Sequence, residues 1–324
     1  MRTPSVTLVI AATIVNQTLV VTERPDPLPG PGEVVVAVSY SALNVADRLQ
    51  VHGHYPAPPG VIEDVPGLEL SGIVVGRGDG VDDESLGRRV SALVGGGAHA
   101  TRCVVPLEHL VDIPDDISDL SAGGWSEGVV TAHDALITQA GLRPAERVVI
   151  SGASGGVGHL GVQIAALQGA EVVAVTRDHQ HDEALRALGA SEVVSVEEVD
   201  NLEPVDVVLE LVGSVHLERV LPRMRYGGRV VVIGTGAGRS AHLNLGHVMA
   251  NRLRITGSTL RWRERAEKSA AIDAVRRDLG SAWASGTLRV SVAGVFDLAD
   301  IGLAFDEFSR PGKFGKILVR MPRE

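Results

Sequence analysis

A glycine-rich segment, GASGGVG at residues 152–158, carries the clearest chemical signal in this sequence. The apolar run at 147–153 leads into it, and the residues at 157–168 have the spacing of a helix. A strand, a glycine turn and a helix in this order are typical of a loop that binds a dinucleotide, whereas a glycine pattern alone is weak support. The other interpretation is a glycine-rich turn without a ligand.

Ala153, Gly155 and Gly158 stand at the three positions of the dinucleotide fingerprint. Gly155 would let the backbone approach a pyrophosphate, and Gly158 would let the helix pack closely on the strand. The helix N-terminus would offer unpaired N–H groups and a partial positive charge to the phosphates. The loop residues expected to bind the cofactor are Ser154, Gly155, Gly156, Val157 and Gly158.

The residues after the next predicted strand, 171–176, bear on which dinucleotide is bound. NAD-binding proteins place an acidic residue about 20 residues after the glycines, where it bonds to the ribose 2′-hydroxyl. This strand ends at Thr176 and is followed by Arg177, whose planar guanidinium suits a 2′-phosphate. Thr176 and Arg177 therefore predict NADP, and Asp178 leaves NAD as the alternative.

The metal-ligating residues are too few and too scattered to predict a zinc site. Cys103 is the single cysteine, so it can form neither an internal disulfide nor a multi-cysteine metal centre. We expect it to be a small buried residue. His52 and His54 are close in sequence, but no third ligand accompanies them in an obvious pattern.

The predicted elements that position these residues form two kinds of region. The middle of the chain alternates apolar strands with helices, which predicts an α/β domain with a doubly wound parallel sheet. The first third is a mainly β region rich in turn formers. A long amphipathic helix and two short strands follow the middle segment, and we expect them to return to the first domain. The predicted elements are strands at 34–43, 70–78, 88–94, 192–196, 205–213, 228–236, 254–260, 290–298 and 315–320, and helices at 182–190 and 264–286.

Composition excludes several classes of function. The 324 residues are 44% hydrophobic and carry a formal net charge of −10, with no dense basic stretch, which argues against a nucleic-acid partner. The apolar segment 5–21 contains Asn16 and Gln17 and many β-branched residues, so it predicts two paired strands with a turn near 15–17. We expect no membrane anchor and no export. The single cysteine fits a reducing cytoplasm.

The motifs together resemble the medium-chain dehydrogenase/reductase superfamily, and within it the zinc-independent quinone oxidoreductase branch that includes ζ-crystallin. The resemblance covers nearly the whole chain, and its motifs occur in the family order. The matching motifs are LNVADRLQVHGHYPAPPG (43–60), PGLELSG (66–72), GRRV, GGGAHATRCVVP, SEGVVTAHDAL, GASGGVG, GSTLR (257–261) and GKFGKILV (312–319).

This resemblance implies a domain plan. A GroES-like, mainly β catalytic domain would comprise residues 1–120 and be completed by 263–324, and a Rossmann NADP-binding domain would comprise 121–262. It also implies a homodimer in which edge strands near 254–261 of two copies extend one sheet, hiding an exposed strand edge.

The resemblance also bears on zinc. Zinc-dependent relatives use a Cys and a His where this sequence has Asn44 and Leu68, although the following Glu69 is retained. Without a Lewis acid to stabilise an alkoxide, alcohol oxidation is disfavoured. A conjugated acceptor needs less help, because its charge delocalises onto an oxygen that one hydrogen-bond donor can stabilise. The expected reaction is therefore hydride transfer from NADPH to a quinone or a similar conjugated carbonyl compound.

Residue roles in the first domain follow from the same resemblance. Tyr55 looks like the family's active-site tyrosine, which would donate a hydrogen bond to the acceptor carbonyl or orient a water, unless it only packs at a surface. Asn44 could bond to the cofactor ribose or orient the substrate, or simply cap a turn. Asp47 belongs to a structural network in this interpretation. Lys316 could contact the cofactor or substrate, or be a surface lysine.

Other roles are implied farther along the chain. Thr131 resembles the family threonine at the start of the inter-domain helix, near the nicotinamide, and a helix cap is the alternative. Gly234 and Thr235 are expected to end a Rossmann strand, where ligands bind. Ser258 and Arg261 are expected to mark the dimer-forming region rather than the chemistry.

Three functions remain open from the sequence. NADPH:quinone reduction leads. An enone or enoyl-thioester reductase of specialised metabolism is the second, although no basic cluster for a phosphopantetheine carrier is visible. A non-catalytic NADPH-binding sensor or structural protein is the third. Some positions depart from the family: Gln180 or His181 stands near the usual lysine, and Trp125 and Ser126 replace more common residues.

Overall fold

The computed structural model describes residues 8–322. The strands are β1 (Leu8–Val15), β2 (Thr18–Pro25), β3 (Glu33–Ala42), β4 (Glu69–Arg77), β5 (Arg89–Leu93), β6 (Arg102–Pro106), β7 (Leu110–Asp112), β8 (Arg147–Ser151), β9 (Glu171–Thr176), β10 (Glu192–Ser195), β11 (Val205–Glu210), β12 (Met224–Val232), β13 (Arg254–Gly257), β14 (Val292–Asp297) and β15 (Lys316–Arg320). The helices are α1 (Val45–Val51), α2 (Asp119–Ala122), α3 (Ser126–His133), α4 (Gly158–Leu167), α5 (Asp182–Ala187), α6 (Ser214–Val220), α7 (Leu245–Ala250), α8 (Arg265–Ala284) and α9 (Ile301–Ser309).

These elements form two compact units. The first contains residues 8–127, 261–311 and 316–322, and the second contains 128–260 and 312–315. The chain thus re-enters the first unit after β13. The last strand, β15, also belongs to the first unit, whereas residues 312–315 just before it belong to the second.

The first unit is built on a mainly antiparallel sheet with the order β14-β15-β3-β4-β5-β7, and β6 also pairs with β3. Strand β15 pairs antiparallel with β3, with Leu318 opposite Ala42. This register brings Lys316, at the start of β15, next to the residues that follow β3. The core of this unit is dominated by valine, leucine and isoleucine, which compensates for the scarcity of aromatic residues.

A β1–β2 hairpin precedes this sheet. Its turn residues Asn16 and Gln17 both have positive φ, at 50° and 62°, which suits a two-residue hairpin turn. The predicted pair of strands and its turn are confirmed, and residues 5–7 of that prediction lie outside the described part. Within residues 8–322, no helix is long and apolar enough to cross a membrane.

The second unit contains six parallel strands in the order β10-β9-β8-β11-β12-β13. Renumbered along this unit the order is 3-2-1-4-5-6, the doubly wound arrangement of dinucleotide-binding domains. Its strands are buried valine-rich runs, as expected for a sheet covered on both faces. The order reverses between β8 and β11, and ligands bind beyond the carboxyl ends of the strands at such a point.

Candidate functional site

The glycine loop joins β8 to α4 in the second unit, which confirms the predicted strand–turn–helix context. Gly152 has a positive φ of 59°. A Cβ on Gly158 would lie 2.3 Å from the carbonyl oxygen of Gly152 and 2.7 Å from the Cα of Ala153, so only glycine allows this approach of helix to strand. Gly155 has more room, since its Cβ would lie 3.2 Å from the same oxygen. Within the first turn of α4, the His159 N–H donates to the carbonyl oxygen of Gly155 at 3.1 Å. The N-terminus of a helix that begins in this way is a place where an anion can bind.

A second segment, residues 312–315, packs on this loop. The backbone N–H of Gly315 donates to the carbonyl oxygen of Ser154 at 2.9 Å, and the His181 Nε2 lies 3.0 Å from the carbonyl oxygen of Gly312. The Phe314 ring lies 6.1 Å from the buried His159 ring and 5.2 Å from that of His181. Local sequence patterns do not predict the packing of residues 312–315 on the glycine loop, because the contacting residues are more than about 130 positions apart.

The turn after β9 presents Arg177 to solvent. Thr176 is buried and ends the strand as predicted, and its hydroxyl donates to the carbonyl oxygen of Asp178 at 2.6 Å. The Asp178 carboxylate accepts a hydrogen bond from the backbone N–H of Gln180 at 3.1 Å. The Arg177 side chain is exposed and forms no hydrogen bond or ion pair with the residues described. Its guanidinium is therefore available for a phosphate, whereas part of the Asp178 carboxylate is used to hold the turn.

A buried carboxylate lies where the strand order reverses. Glu210, at the end of β11, accepts hydrogen bonds from the Ser151 hydroxyl at 2.7 Å and from the backbone N–H of Gly213 at 2.8 Å. The His216 Nδ1 is also bonded to it. Burial favours the protonated acid, but these donors outweigh it and lower the pKa of Glu210 below its usual value. This network ties the turn after β11 to the end of β8, next to the glycine loop, and sequence reasoning missed it.

Gly234 and Thr235 lie beyond the strand that was expected to contain them. Strand β12 ends at Val232, so the predicted strand 228–236 is too long. The chain turns there because the amides of Ile233 and Gly234 both bond to the carbonyl oxygen of Glu210. A Cβ on Gly234 would lie 2.2 Å from the Leu211 carbonyl oxygen, which makes glycine necessary at this position. Thr235 follows in a partly exposed loop.

In the first unit, Asn44, Glu69 and Lys316 form a buried polar cluster. The Lys316 ammonium lies 2.5 Å from the Glu69 carboxylate and 2.8 Å from the Asn44 side-chain oxygen. The Asn44 amide donates to the same carboxylate at 3.0 Å, and Glu69 also accepts the backbone N–H of Glu127 at 2.9 Å. Lys316 is only 1% exposed. The surface-lysine interpretation of Lys316 is therefore wrong, because the β15–β3 pairing carries its side chain inward.

A second layer of buried groups supports this cluster. The Asp47 carboxylate accepts the backbone N–H of Asn44 at 2.7 Å and that of Gly67 at 2.9 Å. Asn44 is the N-cap residue of α1, but its side-chain amide is turned toward Glu69 and Lys316. Asp47 is thus part of a structural network, and capping is not the whole role of Asn44.

Tyr55 is half-buried and packs against Arg261. The guanidinium carbon of Arg261 lies 5.2 Å from the centre of the Tyr55 ring, an attractive cation–π geometry. The same guanidinium donates to the backbone oxygens of Tyr55 and Gly95 and to the Gln50 side chain. The Arg261 side chain is buried within the first unit, so it would not itself contact a second copy. The dimer-forming region near Ser258 and Arg261 stays a prediction. In the second unit, the Ser258 hydroxyl donates a hydrogen bond to the Asp134 carboxylate at 3.0 Å.

The segment around the start of α3 contains Thr131, whose position differs from the one expected, and Trp125, for which no position was predicted. Thr131 is the sixth residue of α3, which begins at Ser126, so it is neither the start of the helix nor its cap. Trp125 is buried, and its ring centre lies 4.5 Å from that of Trp283, so it belongs to the core of the first unit. Cys103 is buried as predicted, and burial raises the pKa of its thiol to about 12.

Metal ligands are scattered through residues 8–322. No group of three or more His, Cys, Asp or Glu side chains in that range is arranged to hold an ion. His52 and His54 are exposed. At Asn44 and Glu69 the neighbouring cation is the ammonium of Lys316 itself.

Comparisons with known proteins agree with this architecture. The family model "Alcohol dehydrogenase GroES-like domain" matches residues 30–141, and the model "Zinc-binding dehydrogenase" matches residues 156–277. The acryloyl-coenzyme A reductase of Metallosphaera sedula is 29% identical over 92% of this chain and 95% of its own length.

Solved structures with related sequences have the same fold. The quinone oxidoreductase of Thermus thermophilus, also solved with NADPH, is 29% identical with a TM-score of 0.82, covering 97% of this chain and 99% of its own. A cobalt- and zinc-bound alcohol dehydrogenase from Pyrobaculum aerophilum is 27% identical with a TM-score of 0.83, covering 97% of this chain and all of its own.

The two units are thus a GroES-like domain and a Rossmann-like NAD(P)-binding domain, which confirms the fold class inferred from the motifs. This chain belongs to the medium-chain dehydrogenase/reductase superfamily, and it is an oxidoreductase of that superfamily.

Proposed function

We propose that this oxidoreductase reduces a conjugated carbonyl compound, a quinone or an enone, by hydride transfer from NADPH and without zinc. The observation that carries the proposal is the buried contact of Lys316 with Asn44 and Glu69. A protein ammonium holds the carboxylate there, and the neighbouring side chain is an amide. Amide oxygens and a lysine are poor partners for zinc, which prefers thiolate, imidazole and carboxylate ligands.

The proposed chemistry fits such a site. When a hydride adds to the β-carbon of a conjugated acceptor, the developing negative charge reaches the carbonyl oxygen and can be stabilised there by a hydrogen-bond donor. The phenol of Tyr55, held by its contact with Arg261, is our candidate for this donor. Asn44 is held by Lys316 and Glu69, and its side-chain oxygen retains a lone pair that could accept a hydrogen bond from a ribose or substrate hydroxyl.

NADPH is the proposed cofactor, and it supplies the hydride when bound. The backbone cradle formed by Gly152, Gly155 and Gly158 fits a dinucleotide pyrophosphate, and Arg177 fits a 2′-phosphate. Thr131, Gly234 and Thr235 remain proposed cofactor contacts. The buried Lys316 is proposed to act through Asn44, whose side-chain oxygen it holds.

Binding measurements on Arg177 variants test the choice of cofactor. Arg177→Ala should weaken NADPH binding by about tenfold or more, since a charge-assisted bidentate bond is lost, and should leave NADH binding nearly unchanged. Arg186→Ala is the control, because Arg186 is another exposed arginine of the same unit, on α5. Equal weakening of both cofactors by Arg177→Ala, or tighter NADH binding by the unaltered protein, would contradict the assignment.

An enone or enoyl thioester is the second candidate acceptor, and the similarity to an acryloyl-coenzyme A reductase supports it. NADPH oxidation should be compared with phenanthrenequinone, cyclohex-2-enone, crotonyl-coenzyme A and saturated cyclohexanone, before and after dialysis against a chelator. We expect turnover with at least one conjugated acceptor, none with cyclohexanone, and no effect of the chelator. Loss of activity on chelation would overturn the zinc-free proposal. Tight NADPH binding without turnover would favour the third function considered from the sequence, a non-catalytic NADPH-binding sensor or structural protein.

A further inference from the structure

The first unit contains a cavity of about 940 Å³ that the proposed reaction does not use. Four segments of this unit form much of its wall: residues 24–28 at the end of the hairpin, the loop 58–65, the glycine turn 94–97 and the start of α8. Asn44, Tyr55 and Lys316 do not line it. Many of the lining side chains are apolar, and Val61, Ile62 and Trp262 are among them.

One lysine in this wall lacks a partner. Lys268, on α8, is only 9% exposed, and its ammonium forms no hydrogen bond or ion pair with the residues that the structure describes. Burial lowers the pKa of this ammonium, an effect that the Glu127 carboxylate partly offsets and the Arg261 guanidinium reinforces. A largely buried cation with no direct hydrogen-bonded counter-charge is costly, and proteins usually pair such a group.

Several other cations of the wall are already satisfied by the protein. The pairs are Arg24 with Asp64, Arg102 with Asp26, and Arg265 with Glu108. The Lys268 ammonium differs from these arginines. Each of them is paired with a carboxylate of the protein, whereas no described residue accepts a hydrogen bond from Lys268.

We propose that this cavity binds a small molecule with an apolar body and one carboxylate, with the carboxylate paired to Lys268. The ligand's hydrocarbon would remove the apolar wall at Val61, Ile62 and Trp262 from water, which favours binding roughly in proportion to the area covered. The carboxylate would give the buried ammonium its counter-charge, so an alcohol or amine of the same length should bind more weakly. The residues proposed to act on the acceptor, Asn44 and Tyr55, do not line this site.

Decanoate is a suitable probe, and calorimetry together with tryptophan fluorescence can report its binding. Trp262 is 45% exposed, whereas Trp125 and Trp283 are buried, so quenching should come mainly from Trp262. We expect decanoate to bind at least about tenfold more tightly than 1-decanol, since only the acid supplies the counter-charge. Lys268→Met should abolish this preference, and Lys268→Arg should retain most of it.

Two control experiments accompany the binding measurements: one checks the folding of Lys268→Met, and the other distinguishes this cavity from the proposed acceptor site. Thermal unfolding of Lys268→Met should occur at or above the temperature of the unaltered protein, because an unpaired buried charge is removed. Tyr55→Phe should bind decanoate normally, since that residue belongs to the proposed acceptor site. The proposal is overturned by absence of decanoate binding, by equal binding to a well-folded Lys268→Met protein, or by an equal loss in Tyr55→Phe.

Discussion

At the scale of single residues, the chemistry of the first unit depends on where a few polar groups are held. Lys316 is inside the protein because it is paired with Glu69, and Asn44 is oriented because both neighbours bond to its amide. Tyr55 is oriented by the guanidinium of Arg261. The roles of Tyr55 and Lys316 can be tested separately by substitution.

Tyr55→Phe tests the proposed donor. Removing the hydroxyl should lower kcat for a conjugated acceptor by about 10- to 100-fold, as expected when a positioned acid is lost, while the Kd for NADPH stays nearly constant. Tyr226→Phe is the matched control, because Tyr226 is exposed on β12 in the second unit. An unchanged kcat in Tyr55→Phe would remove this residue as the donor.

Lys316→Met tests the buried ion pair. Both partners are almost completely buried, so deleting the ammonium leaves an uncompensated carboxylate and should lower the free energy of unfolding by about 3 to 5 kcal/mol. Adding Glu69→Gln should recover part of that loss, because the second variant removes the orphaned charge. Urea unfolding measures both effects, and a double variant no more stable than the single one would contradict this pairing.

The sequence reveals these residues unequally. The exposed Arg177 follows from local pattern, since one strand and one turn place it. The burial of Lys316 could not be predicted from spacing, because its partners are 272 and 247 residues away and only the β15–β3 register brings them together. Lys268 shows the same limit: a helical lysine is usually solvated, and the cavity beside it is built from segments far apart in the chain.

At the scale of elements, the glycine loop sets the distance between α4 and β8. The spacing of the apolar residues and the positions of the glycines predicted both elements closely, since the helix begins at Gly158 and the strand ends at Ser151. The errors occur where distant contacts end an element early, as at Val232, or where a helix starts sooner than expected, as at Ser126 before Thr131.

Gly158→Ala tests the loop at this scale. The added Cβ would overlap the Gly152 carbonyl, so helix or strand must shift; overpacking of this kind costs about 1 to 3 kcal/mol and should also weaken NADPH binding. Gly280→Ala is the control within α8, where a Cβ meets nothing within 4 Å. It should stabilise the protein by about 0.5 to 1 kcal/mol, since glycine is unfavourable inside a helix. Normal NADPH binding by Gly158→Ala would show that the loop tolerates a side chain.

At the scale of the whole molecule, the edge of the parallel sheet leads to a prediction about assembly. Among the described strands, β13 has a neighbour only on the β12 side. Unpaired strand edges tend to be covered, and we propose that two copies join here as a homodimer. Analytical ultracentrifugation should give twice the chain mass of 34.0 kDa at micromolar concentration. A single-chain mass across the whole concentration range would contradict the dimer.

The fate of the transferred hydrogen tests the central claim most directly. NADPH that carries deuterium at the transferred C4 position should be incubated with cyclohex-2-enone, or with whichever conjugated acceptor the enzyme reduces best, and the product analysed by NMR and mass spectrometry. For an enone, we predict one deuterium at the β-carbon and an intact carbonyl group, because the conjugated system receives the hydride. Deuterium on the carbonyl carbon of an alcohol product would contradict the proposed reaction.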